Sequence, residues 1–535
     1  MSSIALPPHI QALLSPDAYP HPADGVELRQ THVSYLLFAG EFVYKLKKPL
    51  DLGFLDFTTL EKRRHFCEQE VRLNRRLCRG AYLGVVPVSY VEGDARIDAR
   101  GSVIDYAVKM RRLPDDGMMP GLLDRNAVTH EMIARLARRI AEFHASSERS
   151  DEIDRYGGLE TAMVNWRENF QQTEPFIGRT ITQRQFDDIQ AFVEEVATGD
   201  ADLFERRVRE GRARDCHGDL RADAVCFEGD HVCIFDCIEF NERFRYSDVA
   251  ADIAFLAMDL EDRGRRDLSD ELMGRYLAAT LDSTLPLTLP FYQCYRAYVR
   301  GKVDGFQLDQ PEVSDEQKAA ATAAARRSFA LAHRYAAERP SRTLLITIGV
   351  TGSGKSYLAN ALAARVGALI LSSDVVRKRL LGIDPGEPRA EPIDAGIYAP
   401  DVSERTYAAL LDEARPWLER GKPVVLDASY LQRAHRQGAL RLAQETDARF
   451  LALECEAGES LVWERLSERR GEQRVVSDGR WEVYQAQQER REPVDELPVG
   501  SHTVVETARS LAEQIEGVLA HLGQTADAPE PAEET

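Results

Sequence analysis

Hydrophobic positions change their spacing twice along the chain. Near the amino terminus, THVSYLLF and EFVYKLK flank an Ala39-Gly40 turn as two strand-like runs, and FCEQEVRLNRRL then takes up a helical period. The chain stays mainly helical to about residue 310, apart from a strand-like run HVCIFDCIEF that carries Asp236. Residues 316–338, EQKAAATAAARRSFALAHRYAAE, are dense in strong helix formers and Pro340 stops the run, which predicts a domain boundary there. Beyond it the short apolar runs TLLITI, ALIL and KPVVLDAS alternate with helical segments to about residue 522, the pattern of an α/β domain with a parallel sheet. The last thirteen residues, 523–535, carry Pro, small residues and four acids without apolar periodicity, so a disordered tail is expected.

The expected division is therefore residues 1–338, residues 341–522, and the tail 523–535. A length of 535 residues is consistent with it, since a domain takes roughly 100 to 200 residues. With 68 Lys and Arg against 88 Asp and Glu the formal charge is −20, which repels phosphate backbones and excludes bulk coating of nucleic acid. No stretch approaches the roughly 18 apolar residues of a membrane span, and MSSIALPPHI lacks the basic and apolar regions of a secretory signal. A cytoplasmic location is the expectation. The eight cysteines show no paired CxxC spacing and read as ordinary buried thiols.

The most specific motif is Gly349-Val350-Thr351-Gly352-Ser353-Gly354-Lys355-Ser356, which fits G-x-x-x-x-G-K-[ST] between the strand TLLITI and the helical YLANALAARV beginning at Tyr357. Glycines let backbone N–H groups wrap a β-phosphate, and the helix that follows points its positive end at the same oxygens. ATP is the expected ligand of 349–357. Lys355 would neutralise its β and γ oxygens and the Ser356 hydroxyl would hold Mg²⁺. The run KPVVLDAS ends on Asp427, the acidic position that supports the metal or its waters. After ALIL come Asp374 and Arg377, one helical turn apart: Asp374 is placed to accept a hydroxyl proton, and Arg377 to clamp a phosphoryl group. Farther on, Arg465, Arg469, Arg470, Arg474 and Arg480 crowd a helix and a glycine turn, as a lid over a triphosphate would require.

Residues 341–522 resemble the small P-loop kinases, a group that includes gluconate-type kinases and 5′-hydroxyl polynucleotide kinases. The resemblance implies transfer of the ATP γ-phosphate to a hydroxyl acceptor. Asp374-x-x-Arg377 is most similar to the polynucleotide kinase form, in which the Asp is the general base and the Arg contacts phosphates.

In the first half, Lys45 lies on a strand and Glu70 in the next helix, a pair able to position nucleotide phosphates, while His217-Gly218-Asp219-Leu220 and Asp236 supply two acids on either side of a short hairpin. These residues, with VYKLKKPLDLGFLDF and DVAADIAFLAMDL, resemble the aminoglycoside phosphotransferase family and its protein-kinase-like α+β fold. In this order, followed by a P-loop domain, they are similar to bifunctional aminoglycoside phosphotransferase-like and ATP-binding proteins. The resemblance implies Asp219 as catalytic Asp, Asp236 as metal ligand, Lys45 as the phosphate-positioning Lys and Glu70 as its partner. One departure is Ala224, where the family's H-G-D-x-x-x-x-N loop has a metal-binding Asn; Asp223 precedes it. Two readings of this half follow, an active phosphotransferase and a binding or regulatory domain. Arg296, Arg300 and Lys302 at helical spacing could line an anionic pocket, but read first as a solvated helix face.

The expected activity is an ATP- and Mg²⁺-dependent kinase acting at the second domain on a hydroxyl of a small molecule or a nucleic-acid end. The competing reading is an ATP-hydrolysing switch with no acceptor.

Overall fold

The computed structural model describes residues 6–310, 313–338, 341–387, 395–469 and 480–526. They form two compact units, and neither is one continuous stretch. The first comprises 1–263 and 295–333, the second 264–294 and 334–535. The boundary expected near residue 340 therefore leaves out one finding: residues 264–294 pack with the second unit.

In the first unit six strands form one antiparallel sheet: β1 (Val26–Gln30), β2 (Ser34–Ala39), β3 (Phe42–Lys47), β4 (Tyr82–Val91), β5 (Asp94–Ile97) and β6 (Ser102–Arg111), in the order β1-β2-β3-β6-β4-β5. Ala39 pairs with Phe42 across a two-residue turn, and Gly40 takes φ +59°, where its missing Cβ avoids the Pro22 carbonyl. The helix Leu60–Asn74, capped by Thr59, packs on this sheet and turns Cys67, Glu70 and Val71 inward. Beyond the sheet the unit is largely helical. Two small antiparallel ladders interrupt it: β7 (Ala213–Asp215) with β10 (Tyr246–Asp248), and β8 (Val225–Glu228) with β9 (His231–Ile234). The helix Val249–Asp262 is buried on every side as far as Leu260, as its nearly continuous apolar sequence requires.

Two expectations change here. The strand-like run HVCIFDCIEF is a strand only to Ile234, and Asp236 lies past its end at φ +64°. Arg296 and Lys302 do not face solvent. Arg296 is buried over the Phe255 ring at 4.7 Å, and Lys302 donates to Asn169 Oδ1 and Gln172 Oε1 at 2.6 and 2.7 Å.

The second unit is a five-stranded parallel sheet, β11 (Thr343–Ile348), β12 (Leu369–Ser372), β13 (Val424–Asp427), β14 (Arg449–Glu456) and β15 (His502–Glu506), in the order β12-β13-β11-β14-β15. Every residue of β11 is buried, as befits a central strand covered on both faces. The helix Lys355–Val366 crosses one face, and the helix Arg266–Thr280 lies against it. Gly274 permits that approach, since a Cβ there would sit 3.1 Å from the Ala361 methyl. Arg365 Nη1 donates to Asp270 at 2.6 Å across the same contact. The final helix, Leu511–Ala526, takes in the first four residues of the expected tail; 527–535 fall outside the described residues. No helix among the described residues is long and apolar enough to cross a membrane.

Cys78 and Cys233 form a disulfide, with Cα atoms 4.7 Å apart, so the expectation of eight ordinary thiols does not hold. The other six are free and buried. The two paired positions lie 155 residues apart, a separation that carries no local spacing signal.

Candidate active site

The loop after β11 has a shape only glycine can supply. Gly349, Gly352 and Gly354 adopt φ of +146°, +79° and +90°. A Cβ at Gly349 would fall 2.8 Å from the Cys455 carbonyl, and one at Gly352 2.8 Å from Val462 Cγ1. Lys355 Nζ folds back to donate to the Val350 carbonyl at 2.6 Å, and the Thr351 N–H donates to Gln487 Oε1 at 2.6 Å. Thr507, one residue past β15, donates from Oγ1 to the Ser353 carbonyl at 2.7 Å. The loop is thus held from β15 and from the helix Trp481–Arg490, on residues that no motif singled out.

Asp427 closes β13 and is buried. Its carboxyl is hydrogen-bonded by Ser356, and burial pushes its pKa up while the nearby Lys355 charge opposes the rise. The negative charge of Asp374 acts in the same upward direction, which places Asp374 in electrostatic reach of this oxygen pair. Asp374 and Arg377 share one face of the helix Ser373–Leu380, with Arg377 Nη1 donating to Asp374 Oδ1 at 2.8 Å. Arg377 lies 4.9 Å from the Tyr398 ring, and its Nε is shielded from solvent without a hydrogen-bond partner. Tyr407, buried nearby, hydrogen-bonds Ser429 Oγ at 3.0 Å, and the Ser429 carbonyl accepts from the Gly349 N–H at 3.0 Å. Lys355, Ser356, Asp427, Asp374 and Arg377 therefore converge at the carboxyl edge of the sheet, where open α/β folds bind ligands. A glycine cradle, an ammonium and two oxygen donors suit a nucleotide phosphate with Mg²⁺.

Two expected phosphate contacts are engaged elsewhere. Arg465 donates to the Thr507 carbonyl at 2.7 Å, to Thr507 Oγ1 at 3.0 Å and to the Gly352 carbonyl at 3.4 Å, so it braces the loop from behind. The Tyr357 side chain faces Glu271 and lies 4.8 Å beneath the Arg275 guanidinium, which leaves only its main chain to the cradle. The side chain of Arg469 and all of Arg470 and Arg474 lie outside the described residues, whereas Arg480 caps the helix Trp481–Arg490.

The first unit holds a second constellation. Lys45 Nζ, on β3, pairs with Glu70 Oε1 at 2.8 Å and with Asp236 Oδ1 at 2.7 Å. The Lys45 ammonium holds the Asp236 carboxyl down at about 2. Lys47, two residues along the strand, takes the other oxygen of Glu70 at 2.8 Å and also pairs with Glu239, so the ion pair is a buried four-member network plus Asp236. Neither Lys47 nor Glu239 stood out in the sequence, because a second Lys on a strand is ordinarily solvated. The loop before Asp219 hangs from a buried carboxylate: Asp252 accepts from the His217 and Gly218 N–H groups at 2.9 and 2.8 Å.

Asp219 itself is occupied. Arg221 grips it with two bonds of 3.1 Å and reaches Asp223 at 2.9 Å, while Arg263 takes the other Asp223 oxygen at 2.9 Å. Ala224 is buried and its N–H closes a turn onto the Arg221 carbonyl. Each oxygen of Asp223 thus accepts from an arginine, Arg221 on one and Arg263 on the other.

Comparison with known proteins agrees with both halves. Residues 63–292 match the phosphotransferase enzyme family and residues 344–494 match an AAA domain family. The uncharacterized proteins Rv2004c of Mycobacterium tuberculosis and Mb2027c of Mycobacterium bovis are each 32% identical over 448 residues, covering 83% of this chain and 86% of theirs. The chain belongs to this family, in which an aminoglycoside-phosphotransferase-like domain precedes a P-loop kinase domain. Among solved structures, a gluconokinase from Sinorhizobium meliloti 1021 is 25% identical, covering 35% of this chain and 96% of its own, with a TM-score of 0.26. A choline/ethanolamine kinase family protein from Mesorhizobium loti is 13% identical, covering 61% and 97%, with a TM-score of 0.34. The match to the phosphotransferase family runs to residue 292, yet 264–294 pack with the P-loop unit.

Proposed function

We propose that this protein is an ATP- and Mg²⁺-dependent phosphotransferase whose working site is the P-loop unit. The observation that carries this reading is the convergence of Lys355, Ser356 and Asp427 with the Asp374–Arg377 pair on one sheet edge. In the reaction, the loop N–H groups and Lys355 hold the β- and γ-phosphates, and Ser356 with Asp427 would hold Mg²⁺. Bound Mg²⁺ supplies charge neutralisation at the phosphates. Asp374 takes the proton of the acceptor hydroxyl as its oxygen attacks the γ-phosphorus in line and ADP leaves. Arg377 orients Asp374 and lends its positive charge to the transferring phosphoryl. The acceptor is a hydroxyl on a small molecule or a nucleic-acid end. The first unit binds or regulates, since Arg221 occupies the carboxylate a base would need free.

ATP turnover should be followed for the full chain without acceptor and then with a pool of hydroxyl compounds. Lys355→Ala should lower turnover by about a hundredfold or more, and Asp374→Asn should lower kcat similarly while leaving the KM for ATP nearly unchanged. Asp219→Ala should change little. Free phosphate instead of a phosphorylated product in wild type would favour the ATP-driven switch. Activity that survives Lys355→Ala and vanishes with Asp219→Ala would move the reaction to the first unit.

A further inference from the structure

A cavity of about 550 Å³ opens in the first unit between the turn that follows the Leu60–Asn74 helix, the helix His130–Ser146 and the β8–β9 turn. None of Lys45, Glu70, Asp219 or Asp236 lines it, so it is separate from the kinase-like cleft. Its charge is unusual in a chain of net −20: five arginines line it against three carboxylates.

Two of those carboxylates are already matched. Arg111 holds Glu228 through two bonds of 2.8 Å, and Arg135 pairs with Asp230 at 2.5 Å. Arg139 donates to the Arg76 carbonyl at 2.7 Å. Arg79, from the turn after the Leu60–Asn74 helix, and Arg138, from the helix His130–Ser146, are lining residues with no hydrogen bond or ion pair among the described residues. The Nε of Arg135 is shielded from solvent and has no hydrogen-bond partner either. Arg135, Arg138 and Arg139 stand at i, i+3 and i+4 on one helix, so their guanidinium groups face the same space. Guanidinium groups left open in a concave site match the geometry of phosphate oxygens. The volume is that of a small-molecule site.

We propose that this pocket is a binding site for a small molecule carrying at least two anionic phosphate groups, held by Arg79 and Arg138. The lining includes Cys78 and Cys233, whose disulfide ties the turn after the Leu60–Asn74 helix to β9.

The test is calorimetric titration of the full-length Lys355→Ala protein, in which the P-loop no longer retains phosphates, with pyrophosphate and in parallel with inorganic phosphate. One site per chain is expected, with pyrophosphate the tighter ligand and its affinity falling steeply with salt. Arg79→Ala with Arg138→Ala should weaken pyrophosphate about tenfold or more, because charge-assisted bonds are lost. Both residues are exposed, so the fold should be retained, and an unchanged circular dichroism melt would confirm it. Adding Lys45→Met to the Lys355→Ala protein should leave binding intact. Three results would overturn the proposal: no binding at all, equal affinity for the two ligands, or binding abolished by Lys45→Met but indifferent to the two arginine changes.

Discussion

Arg221 determines what Asp219 can do. A carboxylate held by both arms of a guanidinium gives one lone pair of each oxygen to the arginine, and a hydroxyl proton must compete with that fixed pair for its orientation. Restoring the absent metal ligand alone should therefore not restore chemistry. In the Lys355→Ala protein, Ala224→Asn should leave ADP release near background, whereas Ala224→Asn with Arg221→Ala should raise it measurably. A rise with Ala224→Asn alone would show that Arg221 swings away when nucleotide binds. In the P-loop unit the telling residue is Asp427. Burial and the Asp374 charge raise its pKa, so its metal-supporting form is lost on acidification sooner than an ordinary carboxylate's would be. Binding of Mg²⁺ with ADP should thus weaken as pH falls through a range above the usual carboxylate value. Asp374→Asn removes one upward push and should move that loss to lower pH, which calorimetry across a pH series would read. The motif residues were legible because each phosphate-binding role demands one residue type at one spacing. The bracing groups, Gln487, Thr507 and Ser429, were not, because a side chain that bonds to a main-chain atom can come from anywhere in the fold.

Among the elements, strands and helices followed the apolar periodicity closely, since the central strands of the parallel sheet are buried on both faces and read as continuous apolar runs. Failures lie where tertiary contacts override local pattern. HVCIFDCIEF ends as a strand at Ile234 because the chain must turn at Asp236 to meet Lys45. Arg296 and Lys302 sit at spacing that suits a solvated face, yet an aromatic ring and two side-chain amides receive them. The disulfide joins the turn beyond the Leu60–Asn74 helix to β9. Closing a loop of 155 residues stabilises the fold by about 5 kcal/mol through the entropy it removes from the unfolded chain. Reduction, or Cys78→Ser with Cys233→Ser, should lower stability by that order in urea denaturation. An unchanged midpoint would mean that the bond does not form in solution.

For the whole molecule, the P-loop unit includes a helix that precedes residue 300. Arg266–Thr280 covers the Lys355–Val366 helix at Gly274, and Asp270 pairs with Arg365 there. Periodicity shows which face of this helix is apolar but not what covers it, so from sequence it groups with its chain neighbours. A fragment starting at residue 341 would expose that covered face and should aggregate. A chain that joins 264–294 through a short linker to 334–535 keeps the cover and leaves out the first unit's 295–333, and should remain soluble, as gel filtration of both would show. Equal behaviour would mean that the helix Arg266–Thr280 adds nothing to the unit's core.

The chain passes between the two units three times, after residues 263, 294 and 333. A gene made by joining two finished domains end to end needs only one such passage. With three, a recombination break near residue 340 would part the phosphate loop from the segment 264–294 that packs with it in one unit.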